Sequence, residues 1–273
     1  MAQRQSVQFG RVAEIVTFAA IEIKLHSLKQ DTDFIFGIRA ILEAIRSGKE
    51  IDKVLIRKGL AGELFLELFE EIRESGVLFS YVPAEKLDRI TRKNHQGVVA
   101  FISPISYHNI ETFIPGIFEQ GKVPFVLVLD SLTDVRNIGA IARTAECAGV
   151  DIIIVPEKGS AQINADAIKT SAGALHHIPF CRVKSLVNTV KFLKDSGLQV
   201  IAATEKAADN YFTRSLKEPL ALILGAEDTG ISTDLLRIAS DLVKIPVSGR
   251  IESLNVSSAA AVLMYEVVKQ RMA

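Results

Sequence analysis

The stretch that decides the fold runs Leu220–Ala221–Leu222–Ile223–Leu224–Gly225–Ala226–Glu227–Asp228–Thr229–Gly230–Ile231–Ser232. Its first half is a short unbroken apolar run, the pattern of a parallel strand covered on both faces. Its second half turns abruptly polar between two glycines. Ligands of open α/β sheets bind beyond the carboxyl ends of the strands, so the polar half marks a candidate site. Working outward, Phe125–Asp130, Ile152–Val155, Val200–Thr204 and Leu242–Ile245 repeat the apolar run, with helical segments between most of them. This half of the chain predicts an α/β domain with a parallel sheet.

Two more runs end in polar clusters. One reads Asp130–Ser131–Leu132–Thr133–Asp134–Val135–Arg136–Asn137–Ile138–Gly139, with Arg143 a turn further on. The other reads Ile245–Pro246–Val247–Ser248–Gly249–Arg250–Ile251–Glu252–Ser253–Leu254–Asn255–Val256–Ser257. Three strand ends bearing Asn, Arg, Glu and Ser point to one active site. Plainer readings stand beside this one. Asn137 suits the N-cap of the helix that follows, and Asn255 or Ser253 suits the cap of a final helix from Val256 to Arg271. Arg143 lies on the face of Gly139 and leans back toward the strand end, but reads equally as a surface residue paired to a carboxylate. Capping leaves Glu252, Ser253 and Asn255 together unexplained.

The 225–232 loop has the two glycines of a phosphate-binding P-loop, but Ile231 replaces the lysine, and Glu227 and Asp228 oppose a phosphate. A loop around a neutral or cationic ligand fits better, with a tight two-glycine turn as the alternative. No Gly-x-Ser-x-Gly elbow supports a hydrolase, and no Gly-x-Gly-x-x-Gly a dinucleotide site. His176 and His177, after the small residues Ser171–Ala172–Gly173–Ala174, lack partners at ligand spacing, so no metal is expected.

The 273 residues are 48% apolar and 23% charged with zero net charge. That bounds one large or two modest domains and gives no global field toward nucleic acid or membrane. Cys147 and Cys181 are the only cysteines, which argues against a disulfide framework and fits a reducing cytoplasm. No apolar run reaches the roughly 18–20 residues of a membrane span. Glu14 and Glu22 interrupt Val12–Ile23, so residues 1–30 read as a loose N-terminal extension, with a signal peptide behind Arg4 and Arg11 as the lesser alternative.

Residues 31–107 read as a small α/β domain. A helix over Gly37–Ile45 stops at Gly48, and strands follow at Val54–Ile56, Val77–Val82 and Val98–Ser103. An amphipathic helix from Leu60 to Ser75 carries Leu64, Leu68 and Ile72 on one face. Within Arg89–Ile90–Thr91–Arg92–Lys93–Asn94–His95–Gln96–Gly97 lies the densest basic run, either a solvated helix end or a phosphate contact. Residues 108–123, with Pro115, Gly116, Gly121 and one weak helical segment, read as a linker, and 124–273 as the second domain.

Asn137-x-Gly139-x-x-x-Arg143, Leu224–Gly225–Ala226–Glu227-x-x-Gly230, and Ile245–Pro246 followed by Ser253–Leu254–Asn255–Val256–Ser257 resemble the three motifs of the SpoU (TrmH-like) branch of the SPOUT RNA methyltransferases. Residues 34–103, ending in His95–Gln96–Gly97–Val98–Val99–Ala100, resemble the ribosomal-protein-like substrate-binding domain of one subgroup. That subgroup includes the enzyme that 2'-O-methylates a guanosine of bacterial 23S ribosomal RNA. The resemblance implies a deep trefoil knot, against the general rule that chains are unknotted. It implies S-adenosylmethionine as cofactor, RNA as substrate, and a homodimer with the active site at the interface. It implies cofactor binding by Ala203, Thr204, Gly225, Ala226, Glu227, Gly230, Ile245, Val247, Ser253 and Leu254. Its catalytic residues would be Asn137, Arg143, Glu227, Ser253 and Asn255. Arg143 would stabilise a developing alkoxide and grip the adjacent phosphate. Asn137 would hold the ribose or Arg143, Glu227 would position Arg143 or Asn137, and Ser253 and Asn255 would orient the substrate. RNA contacts would come from Arg89, Arg92, Lys93, His95, Arg136 and Arg143. A transfer RNA substrate, or a non-catalytic RNA-binding protein, are the alternatives.

Overall fold

The computed structural model describes residues 34–251 and 253–273. The N-terminal extension and Glu252 lie outside the described residues. The chain divides between Ile102 and Ser103 into two compact units.

The smaller unit runs β1 (Phe34–Phe36), α1 (Ile38–Arg46), β2 (Ile51–Arg57), α2 (Glu63–Glu74), β3 (Phe79–Val82), α3 (Ala84–Ile90) and β4 (Val98–Ile102). Its sheet has the order β1–β4–β2–β3. β4 is antiparallel to both neighbours, while β2 and β3 are parallel. In α2, Phe65, Leu68 and Ile72 recur at helical spacing and share a core with Val54, Ile56, Val98 and Ala100. Burying such side chains contributes about 1.5–3 kcal/mol each. Leu87 of α3 joins Leu55 and Val99 in a second core. The helix expected from Leu60 begins only at Glu63, because Gly59 and Gly62 hold φ at 73° and 129°.

The larger unit runs α4 (Ile110–Glu119), β5 (Phe125–Asp130), α5 (Val135–Cys147), β6 (Ile152–Pro156), α6 (Ala165–Thr170), β7 (Phe180–Val183), α7 (Leu186–Asp195), β8 (Gln199–Ala203), β9 (Asp209–Asn210), β10 (Leu220–Gly225), α8 (Thr233–Ile238), β11 (Asp241–Lys244) and α9 (Val256–Met272). The seven strands pair in the order β7–β6–β5–β10–β8–β11–β9, every pair parallel. Alternate residues along each strand serve two cores. Leu127, Leu129 and Leu222 pack with Ile138 and Ile141 of α5 and Leu263 and Met264 of α9. Val126, Val128 and Ile223 pack with Ile114 of α4 and Val190 and Leu193 of α7. Helices on both faces explain the unbroken apolar strands.

Residues 108–123, read from sequence as a linker, contain α4. Its Ile110, Ile114 and Ile117 are buried in the core of the larger unit. Asn109 caps it by accepting the Glu111 N–H at 2.8 Å. Proline density suggested a connector, but Pro115 sits inside the helix, where the buried isoleucine stripe outweighs its missing hydrogen bond.

β5 and β10 lie side by side in register, with Asp130 opposite Gly225. That pairing brings the first two polar clusters together at the middle of the sheet.

Candidate active site

Helix α5 starts where it does because Asp134 caps it, accepting the Arg136 N–H at 2.8 Å. Asn137 is therefore not the cap that its sequence position suggested. It sits in the first turn, with its side chain free to cross to the next loop. Its Nδ2 donates to Glu227 Oε1 at 2.8 Å.

Of the two residues that the sequence offers as the cap of α9, Asn255 is the one that caps it. Its Oδ1 accepts the Ser257 N–H at 3.0 Å and the Ser257 hydroxyl at 2.5 Å. Its Nδ2 donates to Glu227 Oε1 at 2.6 Å and to Asn137 Oδ1 at 3.1 Å. The Val256 N–H also reaches Glu227 Oε1, at 3.3 Å. One carboxylate oxygen thus gathers donors from both other clusters, in charge-assisted bonds stronger than neutral ones.

One glycine permits this closure, and another sets the helix packing behind it. A Cβ on Gly225 would lie 2.2 Å from the Gly230 carbonyl carbon, so the loop folds back on the strand end only without a side chain. A Cβ on Gly139 would lie 2.8 Å from both Ala167 O and Thr170 Cβ, which fixes how closely α6 approaches α5.

Beside the Glu227 cluster lies a cavity of about 340 Å³. Ala203, Thr204, Gly225, Ala226, Glu227, Gly230, Ile245, Val247, Ser253 and Leu254, the whole set implied for the cofactor, line it. Sequence reasoning missed other lining residues: Glu205 and Lys206, which directly follow the β8 strand end, and Ala259 and Leu263. The last two lie four residues apart on α9, and helical spacing from Asn255 is the signal that would have found them.

Arg143 lies exposed on α5. Among the described residues it has no hydrogen-bond or ion-pair partner, so Glu227 holds Asn137 and not Arg143. Arg136 is also exposed, with Asp134 3.8 Å from its Nε.

In the smaller unit Arg89 closes α3, and Arg92 and Lys93 are exposed in the loop after it. His95 differs from them. Its Nδ1 accepts the Gly97 N–H at 3.0 Å, so Nε2 carries the proton and donates to Asp88 Oδ1, also at 3.0 Å. With both nitrogens engaged and its side chain 14% exposed, His95 builds the loop instead of presenting a ring for RNA. Arg57, whose N–H donates to Gly97 O at 2.8 Å, and Lys58 add exposed cations beside it. A basic pair at a strand end was their sequence signal.

Residues 124–265 match the model of the SpoU rRNA Methylase family. The chain belongs to that family. Residues 34–108 match the substrate-binding module of RNA 2'-O ribose methyltransferases, so this family member is an RNA 2'-O-methyltransferase. A protein from Staphylococcus saprophyticus named for the TrmH family of tRNA/rRNA methyltransferases is 35% identical over 237 residues, covering 87% of this chain and 95% of its own. A similarly named Bacillus subtilis protein is 32% identical over 244 residues, 89% and 98% of the two chains. Among solved structures, the SpoU methyltransferase AviRb of Streptomyces viridochromogenes, in complex with AdoMet, shares the fold at a TM-score of 0.56 and 23% identity over 88% of this chain and 90% of that one. An AdoMet-bound rRNA methyltransferase from Sinorhizobium meliloti shares it at 0.56 and 24% identity over 86% of each.

Proposed function

We propose that this family member methylates a ribose 2'-hydroxyl of large-subunit (23S) ribosomal RNA, at a guanosine. Its methyl donor is S-adenosylmethionine, the cofactor bound in the Streptomyces and Sinorhizobium proteins. The observation that carries the reading is the convergence of Asn137, Glu227 and Asn255 beside the cavity at the strand ends. The cavity fits the donor in size, since small-molecule sites span about 300–1,000 Å³. It also fits in character: Leu224, Ile231, Ile245 and Leu263 offer apolar walls to an adenine ring, and loop groups at Thr204–Lys206 and Gly225–Gly230 offer polar partners.

When bound, S-adenosylmethionine supplies an electrophilic methyl on a sulfonium. The chain's own residues treat the nucleophile. A hydroxyl attacks poorly unless its developing charge is stabilised. Arginine hardly deprotonates, so Arg143 acts electrostatically, stabilising the alkoxide and gripping the adjacent phosphate. Asn137, held by Glu227, orients the ribose, while Ser253 and Asn255 set the substrate side of the cavity. Arg89, Arg92 and Lys93 contact RNA phosphates from the smaller unit.

The reading includes the trefoil knot and a homodimer with the site at its interface. Exposed Val262 and Tyr265 on α9, with Met272 at its end, support a covered face there. The substrate-binding module, with the subgroup resemblance of residues 34–103, supports the ribosomal target. Relatives named for both RNA classes keep transfer RNA as the second reading.

The test is transfer from labelled S-adenosylmethionine to bulk RNA from cells lacking the protein, separated by size. Label on large ribosomal RNA, resistant to alkaline cleavage at the modified linkage, is expected. Label on transfer RNA moves the target. The absence of both label and cofactor binding overturns the reading.

A further inference from the structure

Asp130 ends β5 and opens the first polar cluster, yet the chemistry above gives it no role. It is only 6% exposed. Among the described residues no cation pairs with it, and it lines no part of the cavity. A buried carboxylate is costly unless its oxygens are satisfied. Here each oxygen serves a different loop. Oδ1 accepts the Ser131 hydroxyl at 3.0 Å, and Oδ2 accepts the Ser232 N–H at 2.8 Å.

Those two partners belong to the two clusters that must meet. Ser131 begins the turn leading to Asn137, and its φ of 61° puts a non-glycine residue in the left-handed region. Such strain persists only where surroundings hold it. Buried Leu132, whose carbonyl accepts the Ala161 N–H at 2.8 Å, clamps the far side of the turn. Ser232 closes the loop that carries Glu227, just beyond the Gly230 turn that Gly225 accommodates.

We infer that Asp130 is a positioning residue: its carboxylate sets the spacing between the Asn137 turn and the Glu227 loop, and so shapes the cofactor cavity without touching its contents. This rests on the cofactor assignment above. Asparagine keeps the geometry, because its oxygen accepts from Ser232 and its amide donates to the Ser131 oxygen. Alanine removes both bonds. Ser232→Pro deletes the Oδ2 bond from the other side, at a φ of −58° that proline adopts.

The experiment is calorimetric titration of S-adenosylmethionine into the full chain, with a thermal melt and RNA binding measured on each variant. Asp130→Ala and Ser232→Pro should weaken cofactor binding about tenfold or more. Asp130→Asn should stay within about threefold of wild type, and RNA binding should not change. Wild-type affinity in a folded Asp130→Ala or Ser232→Pro protein overturns the inference. So does a tenfold loss in Asp130→Asn, which would make the charge, not the bonding pattern, responsible. Should Asp130→Ala fail to fold, Ser232→Pro and Asp130→Asn decide. A wild-type chain that does not bind the cofactor refutes the functional reading instead.

Discussion

Asn137 and Asn255 stand 118 positions apart in the chain, yet their side chains meet at 3.1 Å, Asn255 Nδ2 donating to Asn137 Oδ1. Both also donate to the same Glu227 oxygen. The Asn255 amide cannot be turned around, because its oxygen already accepts from Ser257 at the start of α9. Helix capping and site assembly are thus one interaction, and Glu227 is the acceptor on which both asparagines depend.

Glu227→Ala should therefore cost far more activity than stability. The cluster is solvent-exposed, so the stability loss is about 1 kcal/mol. Single-turnover methyl transfer should fall about 100-fold as Asn137 loses its orientation. Glu227→Gln, which keeps an acceptor oxygen, should fall between alanine and wild type. A Glu227→Ala enzyme with wild-type turnover would remove Glu227 from the machinery.

Among the described residues Arg143 has no partner to lose, so Arg143→Ala should leave folding unchanged. Cofactor binding should survive while transfer drops by a factor on the order of 10²–10³, the scale of one lost electrostatic stabiliser. Titration calorimetry beside a transfer assay separates the two effects. Lost cofactor binding in the folded variant would contradict the assigned role.

Arg92 and Lys93 should act chiefly on RNA, although Lys93 Nζ also stands 5.9 Å from the centre of the Phe36 ring. Replacing either by alanine should weaken RNA binding and lower the slope of log affinity against log salt by about 1. His95→Ala should show the opposite profile. It frees the Gly97 N–H and the Asp88 contact, costing about 1 kcal/mol in the thermal melt. Salt-dependent filter binding and melting curves distinguish the two classes. An unchanged slope in Arg92→Ala would place the RNA surface elsewhere.

The two thiols should report on the fold. Cys147 is exposed and Cys181 buried. Burial is the main cause pushing the Cys181 thiol up to about 11. At pH 8 only about one Cys181 in a thousand is the reactive thiolate. A thiol reagent should label Cys147 promptly and Cys181 only in denaturant, with Cys181 labelling in the native protein rising as pH approaches 11. Equal native rates at pH 8 would contradict the buried position.

The apolar runs, the glycines and the three polar clusters were legible in the chain because each is a local signal. Strand burial on two faces shows as unbroken apolar stretches such as Phe125–Asp130 and Leu220–Gly225, and the motifs lie immediately after them. Helix α4 shows in the sequence only as a weak segment of a proline-containing connector, because the burial of Ile110, Ile114 and Ile117 depends on strands that follow in the chain. Asn137 was misplaced as a cap because Asp134, three residues earlier, makes the competing bond. His95 looked like part of a basic surface until its partners, Asp88 and the Gly97 N–H, turned it inward. What tertiary structure alone decided is the pairing of side chains across 28 to 118 positions. A hydrogen bond needs donor and acceptor within about 3 Å, and sequence gives the residue types but not that distance. The parallel register of β5 against β10 supplies it, setting Asp130 beside Gly225 and so the Asn137 turn beside the Glu227 loop.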